Sequence, residues 1–216
     1  MIDDRLMERK RMVKHLQRIG YLRTDEVARA MEEVPRHLFL PDSLSHRAYE
    51  DCPLPIGSGQ TISAPHMVAL MVEELDLKEG QTVLEIGGGR GYHAAVISRV
   101  IGEKGRVISM EILPELAENG RMVLQELGYR NVEVVVGDGS LGHEACAPYH
   151  RISVACGAPS VPKKLLRQLP NGGKMLIPVG GPYHQELYRI TRTGNKIRKE
   201  GLGGVLFVPL VGEHGF

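Results

Sequence analysis

Apolar residues recur at helical spacing near the start of the chain and then gather into short runs. Leu6, Met12, Val13, Leu16 and Ile19 share one face of a 3.6-residue repeat, which predicts a helix over residues 3–19. A second helix is expected over 24–34, opened by Thr24 as N-cap and anchored by Val27. From Gln81 onward apolar runs alternate with amphipathic stretches: TVLEI (82–86), a helix over 92–100, RVISM (106–110), a helix over 114–127, VEVVV (132–136), RISVA (151–155), a helix over 162–169 and KMLIPV (174–179). That alternation predicts an α/β protein, a parallel sheet joined by crossover helices. Residues 185–192 and 205–211 read as closing strands joined at Thr193-Gly194-Asn195.

Composition sets outer bounds. With 216 residues and 42% hydrophobic content, one domain is expected, its first part (1–76) the helices and the glycine- and proline-rich loop that follows them, its second (77–216) the alternating core. Basic and acidic residues number 27 and 26, so nothing favours nucleic acid or an anionic membrane. The basic run from Arg5 to Lys14 reads as a solvated helix face. Cys52, Cys146 and Cys156 are odd in number and lack CxxC spacing, which supports neither a disulfide framework nor a zinc site. That cysteine usage makes a reducing cytoplasm the expected location. A charged start, MIDDRLMERKR, with no run of eighteen apolar residues leads to the expectation of a protein neither exported nor membrane-embedded, and a monomer is expected.

Candidate chemistry concentrates in two stretches, GSGQTISAPH (57–66) and VLEIGGGRGYHAA (83–95). In the second, a strand delivers Gly87, Gly89 and Gly91, where glycine lets a ligand approach the backbone, and the following helix points its first amides at that ligand. Twenty residues past Gly91, Glu111 closes the next strand, a place from which a carboxylate accepts both ribose hydroxyls. An adenosine-containing cofactor follows. A dinucleotide survives through Gly89, Gly91 and Ala94 as GxGxxA, but Glu85 just ahead of the glycines suits a cationic amino group or sulfonium better than a pyrophosphate. S-adenosylmethionine is therefore the expected cofactor. Asp138 and Gly139, in GDGS after the third strand, stand where ligands gather in open α/β sheets, with Asp138 placed to accept from an adenine amino group or to make an Asp-Gly turn.

The first stretch carries Thr61, Ser63 and His66 as candidate acceptor contacts. Ser63 also reads as an N-cap for a helix starting at Pro65. The nine histidines show no HxH, HxxxH or HExxH pairing, so no metal is expected. Cys156 reads as a small buried thiol.

These residues resemble the protein-L-isoaspartate O-methyltransferase family along the whole chain: LPIGSGQTISAPHMVALM, VLEIGGGRGY, ILPELAE, GDGS, PYHRISVACGAPSVP, GGKMLIPVG and FVPLVGEHG. The QTISAP segment is the specific part. The resemblance implies a class I, Rossmann-like S-adenosylmethionine-dependent methyltransferase fold, a mostly parallel doubly wound sheet with an N-terminal helical extension. It implies methyl transfer to the α-carboxyl of L-isoaspartyl residues in damaged proteins and peptides, with S-adenosylhomocysteine as product. The family's active-site serine falls on Ser63.

The chain departs from the family pattern at Gly88 and Arg90, where small hydroxylated residues are usual, at His150 and Arg151, and at Ala155-Cys156. Arg90 has three readings: repulsion of a sulfonium, binding of the methionyl carboxylate, or plain solvent exposure. A methyltransferase of another acceptor, or a non-catalytic binder of the cofactor or of damaged peptides, remains as an alternative function. Asn119-Gly120 and Asn171-Gly172 are dipeptides prone to isoaspartate formation, so aged enzyme is expected to become its own substrate.

Overall fold

The computed structural model describes residues 5–216; positions 3 and 4 of the first expected helix lie outside the described residues. Helix α1 (Leu6–Arg18) buries Met12, Val13 and Leu16. Helix α2 (Asp25–Glu33) starts at Thr24, whose hydroxyl accepts the Val27 amide at 3.4 Å, the expected cap. After a short helix α3 (Asp42–Ser45), strands β1 (Leu54–Gly57) and β2 (Gln60–Ile62) pair antiparallel. The stretch expected as a loop is thus a hairpin, its tip turned by Ser58 at φ +51° between two positive-φ glycines. Helix α4 (Pro65–Leu75) follows, with proline in its first turn.

The remaining elements are β3 (Thr82–Ile86), α5 (Tyr92–Ile101), β4 (Arg106–Glu111), α6 (Pro114–Glu126), β5 (Val132–Val136), β6 (Arg151–Val154), α7 (Lys163–Gln168), β7 (Lys174–Gly180), β8 (Gln185–Thr193) and β9 (Lys196–Val205). Seven strands form one sheet in the order β5-β4-β3-β6-β7-β8-β9. The first five run parallel; β8 and β9 are antiparallel. Central β3 is buried on both faces: Val83 packs into the cluster shared with α1, α2, α4 and α5, while Leu84 and Ile86 pack into the one beneath α7. Burial on both faces is why this strand reads as an apolar run, interrupted only by the buried Glu85, rather than as an alternation. From β3 the chain winds outward through β4 to β5, then returns to the other side of β3 as β6. That reversal opens a crevice at the carboxyl ends of the strands.

One expected strand is misplaced. The last strand is β9, not 205–211, and it follows β8 directly through a tight turn. Its sequence, KIRKEGLGGV, is charged and glycine-rich because it forms a largely exposed sheet edge, where lysines discourage pairing with other chains. Residues 206–211 instead fold back along the carboxyl ends of the sheet, with the Gly157 amide donating to the Val208 carbonyl (2.8 Å) and the Leu210 amide to the Gly157 carbonyl (2.7 Å).

At the opposite, amino ends of the strands, charges are tied together. Arg151 donates to the Leu75 and Asp76 carbonyls (2.5 and 2.9 Å), capping the C-terminus of α4. Asp76 also pairs with Lys78 at 2.8 Å and Lys174 at 2.9 Å. The His150 Nδ1 accepts the Thr82 amide at 3.0 Å. Two of the departures from the family pattern, His150 and Arg151, are therefore structural pins away from the crevice. No helix among the described residues is long and apolar enough to cross a membrane.

Candidate active site

The glycine turn after β3 is built from backbone that side chains would strain. Gly87, Gly89 and Gly91 have φ of +83°, +54° and +91°. Gly87 and Gly88 donate to the Met110 carbonyl at 2.9 and 3.0 Å, which locks the turn against β4. Gly88 is glycine for a different reason: a Cβ there would strike the Ser109 hydroxyl. Gly139 likewise faces Ile86 so closely that a Cβ would overlap its Cγ2.

Glu111 braces this turn. It is 7% exposed at the end of β4, its Oε2 accepting the Gly89 amide at 2.8 Å and its Oε1 the Leu113 amide at 3.0 Å. Each carboxylate oxygen keeps a further lone pair for a ligand hydroxyl. Glu111, Gly87, Gly89 and Gly139 line a cleft of about 180 Å³ whose apolar walls include Ile56, Ile86, Met110, Ile112 and Leu210. Positive-φ glycines that leave room for a ligand, a carboxylate with free lone pairs and flat apolar walls fit a nucleoside bearing a polar tail.

Three expected contacts sit elsewhere. Glu85 is fully buried beneath the turn, accepting the Ser109 hydroxyl and lying 3.3 Å from His93 Nδ1, so its carboxylate does not face the cleft. Asp138 accepts the Ser140 amide and the Glu213 amide, each at 2.8 Å. Partial burial alone would raise its pKa, but those amides and the Ser140 hydroxyl hold it below the usual aspartate value. His66 turns to Asp51, whose Oδ1 lies 2.9 Å from both its amide and its Nδ1, and its ring packs 5.0 Å from that of Tyr21. Asp51 thereby does the capping expected of Ser63; the N-cap position of α4 is Ala64.

Ser63 is left to a smaller recess of about 40 Å³ that shares Thr61, Gly87, Gly89 and Ala155 with the cleft and adds Gly88, Arg90, Tyr92 and His93. Burial pushes the Tyr92 phenol up to about 12, so it stays protonated. Burial and then Glu111 push the Cys156 thiol far upward, which makes it an inert wall of the cleft rather than a nucleophile. No group of residues that could hold a metal exists among the described residues.

Sequence reasoning missed the segment 208–211 as a wall of the cleft. Pro209 was the available sign, since proline cannot supply a ladder donor within a strand. His93 at the recess was equally invisible, and of Arg90 the sequence shows only a departure from the family pattern, because lining one recess with Ser63 depends on the hairpin packing over the turn.

The fold and cleft define a class I, Rossmann-like S-adenosylmethionine-dependent methyltransferase. The profile of the family described as protein-L-isoaspartate(D-aspartate) O-methyltransferase matches residues 7–215. A protein-L-isoaspartate O-methyltransferase of Methanopyrus kandleri is 53% identical over 218 residues, covering 99% of this chain and 96% of the relative. A second from Archaeoglobus fulgidus is 52% identical over 99% of this chain and 94% of its own length. Among solved structures, a protein-L-isoaspartate O-methyltransferase superposes with TM-score 0.87 at 34% identity, covering 96% of this chain and 67% of the other. A Plasmodium falciparum protein described as a putative member, in complex with S-adenosyl-L-homocysteine, gives 0.83 at 28%, covering 94% and 98%. The chain belongs to the protein-L-isoaspartate(D-aspartate) O-methyltransferase family.

Proposed function

We propose that this protein methylates the free α-carboxyl of L-isoaspartyl residues in damaged proteins and peptides, using S-adenosylmethionine, and so starts their repair. The observation that carries the reading is the seam between cleft and recess. Ser63 stands on the recess side, and Gly87 and Gly89 line both. An acceptor group held beside Ser63 then meets the cofactor across the glycine turn.

S-adenosylmethionine, when bound, supplies a sulfonium methyl whose transfer turns a carboxylate into a neutral ester and leaves a neutral thioether, with no proton to move. The acceptor carboxyl, with an ordinary pKa of ~3.5, is already ionised at neutral pH, so the chain needs no general base. Its work is positioning and water exclusion. Glu111 holds the ribose hydroxyls while bracing Gly89, and Gly87, Gly89 and Gly139 keep side chains out of the cofactor's way; Gly91 is outside the cleft lining and is glycine for its positive φ and its packing against Leu124. Glu85 acts from beneath, through Ser109 and His93. Asp138 acts by tying down the 206–216 segment that closes the cleft. Ser63 donates to one carboxylate oxygen, and Thr61 borders the acceptor. His66 serves the start of α4 rather than the acceptor.

The test is transfer of labelled methyl to a short isoaspartyl peptide, with its aspartyl isomer as control and base-labile ester as readout. Label confined to the isoaspartyl peptide is the expected result. Cofactor binding without label on either peptide would overturn the reading and favour a different acceptor.

A further inference from the structure

Three of the seven buried side-chain polar atoms without a hydrogen-bond partner among the described residues belong to residues that line the recess: Arg90 Nε, Tyr92 OH and His93 Nε2. An unpaired buried polar atom is costly to leave unmet, so such a cluster marks a place completed by something other than protein. The recess holds a carboxylate or a few waters, and is far too small for a nucleoside.

Its charge is one-sided. Arg90 forms no hydrogen bond and no ion pair among the described residues. Burial lowers its pKa, with Asp42 acting the other way at a distance, yet a guanidinium remains a cation at neutral pH. Its backbone is fixed, because Gly120 of α6 packs so tightly that a Cβ there would lie 3.0 Å from the Arg90 carbonyl carbon. His93, 8% exposed on the first turn of α5, has its Nδ1 held near Glu85, which sets the ring and leaves Nε2 as its unpartnered polar atom at the recess. The N-terminus of α5 adds its partial positive charge. Glu85, the opposing carboxylate, is sealed beneath by Ser109 and His93.

We propose that Arg90, supported by His93, is the anchor for the acceptor's free carboxylate, so that this chain recognises its acceptor by charge as well as through Ser63. The proposal rests on the methyltransferase reading above. Arg90 lines the recess with Ser63 and does not line the cofactor cleft, which places it on the acceptor side rather than at the methionyl carboxylate. One carboxylate oxygen bound by Arg90 leaves the other facing the cleft. A planar guanidinium gives this contact more directional hold than an ammonium.

Steady-state kinetics with an isoaspartyl peptide, paired with calorimetric binding of S-adenosylhomocysteine, tests this in the wild type and in Arg90→Gln, Arg90→Lys and His93→Gln. Arg90→Gln is expected to raise the peptide KM about tenfold or more with kcat changed much less and product affinity within about twofold. Arg90→Lys is expected to recover part of the loss, His93→Gln to raise KM about threefold, and the rise of KM with salt expected of the wild type to flatten in Arg90→Gln. An unchanged KM in Arg90→Gln overturns the proposal. So does a loss confined to S-adenosylhomocysteine affinity, which would assign Arg90 to the cofactor's carboxylate. A wild type that binds the cofactor but leaves the isoaspartyl peptide unlabelled defeats the function reading itself, and the anchor with it.

Discussion

The two ends of the central sheet carry similar chemistry and treat it in opposite ways. At the amino ends Asp76, Lys78, Arg151, Lys174 and the α4 carbonyls satisfy one another. At the carboxyl ends Arg90, Tyr92 and His93 keep polar atoms with no partner. A saturated network stabilises and has nothing left to offer a ligand; an unsaturated one loses stability and retains binding capacity. The same sheet thus separates a structural end from a functional one, and substitutions at each should read out differently.

Glu111→Ala should have the largest effect, because it removes the carboxylate proposed to accept the ribose hydroxyls and also frees the Gly89 and Leu113 amides. Calorimetry should show S-adenosylhomocysteine affinity falling by about 3–4 kcal/mol, several hundredfold. Near-wild-type affinity would mean that the turn is held by other contacts. Arg151→Ala, at the structural end, should cost about 3 kcal/mol in thermal unfolding while the kcat/KM of the folded enzyme stays unchanged. A turnover defect there would break the comparison.

Ser63→Ala should lower kcat/KM by about 2 kcal/mol, roughly thirtyfold, with product affinity intact. Equal losses in both would contradict a division between acceptor recess and cofactor cleft. Asp138→Asn should weaken binding by about 1 kcal/mol and speed hydrogen exchange in residues 206–216, since one partner of the Glu213 and Ser140 amides loses its charge. Because the folded pKa of Asp138 is depressed, its contribution is complete above the ordinary aspartate value of 3.8 and is lost only as pH falls through the lower folded value. The protection of the segment, its exchange corrected for the intrinsic amide rate at each pH, should therefore be flat from neutral pH down to that range and fall below it.

The smallest effect concerns self-damage, where the structure reverses the expectation. Asn119 lies inside α6, and the Gly120 that follows it packs against the Arg90 backbone. At Asn171 the side-chain oxygen accepts the Gly194 amide at 2.7 Å, and the Gly172 amide, the would-be nucleophile, donates to the Arg192 carbonyl at 2.8 Å. Tryptic mapping after prolonged incubation of the native enzyme should find both sites intact.

The element order was legible in the chain because parallel strands buried on both faces need continuous apolar runs and amphipathic helices need a 3.6-residue repeat. The placement of the glycine turn and of Glu111 at the end of β4 was legible for a related reason: backbone conformation and strand ends are encoded by local sequence. The hairpin at 54–62, the charged edge strand β9 and the fold-back of 206–211 were not, since each is decided by what lies beside it in space. The same holds for side-chain direction. Position alone offers Glu85 and His66 as ligand contacts and Asp138 as either a ligand contact or an Asp-Gly turn; partners distant in sequence, Ser109, Asp51 and Glu213, engage all three, and Asp138 takes the turn role through the Ser140 amide. Arg90 was left unclaimed. Sequence fixes which groups arrive at the ends of the strands, through local periodicity and backbone preference. Only tertiary packing decides which of those groups are satisfied by the protein and which remain open to a ligand, because a hydrogen bond between residues far apart in the chain has no local trace.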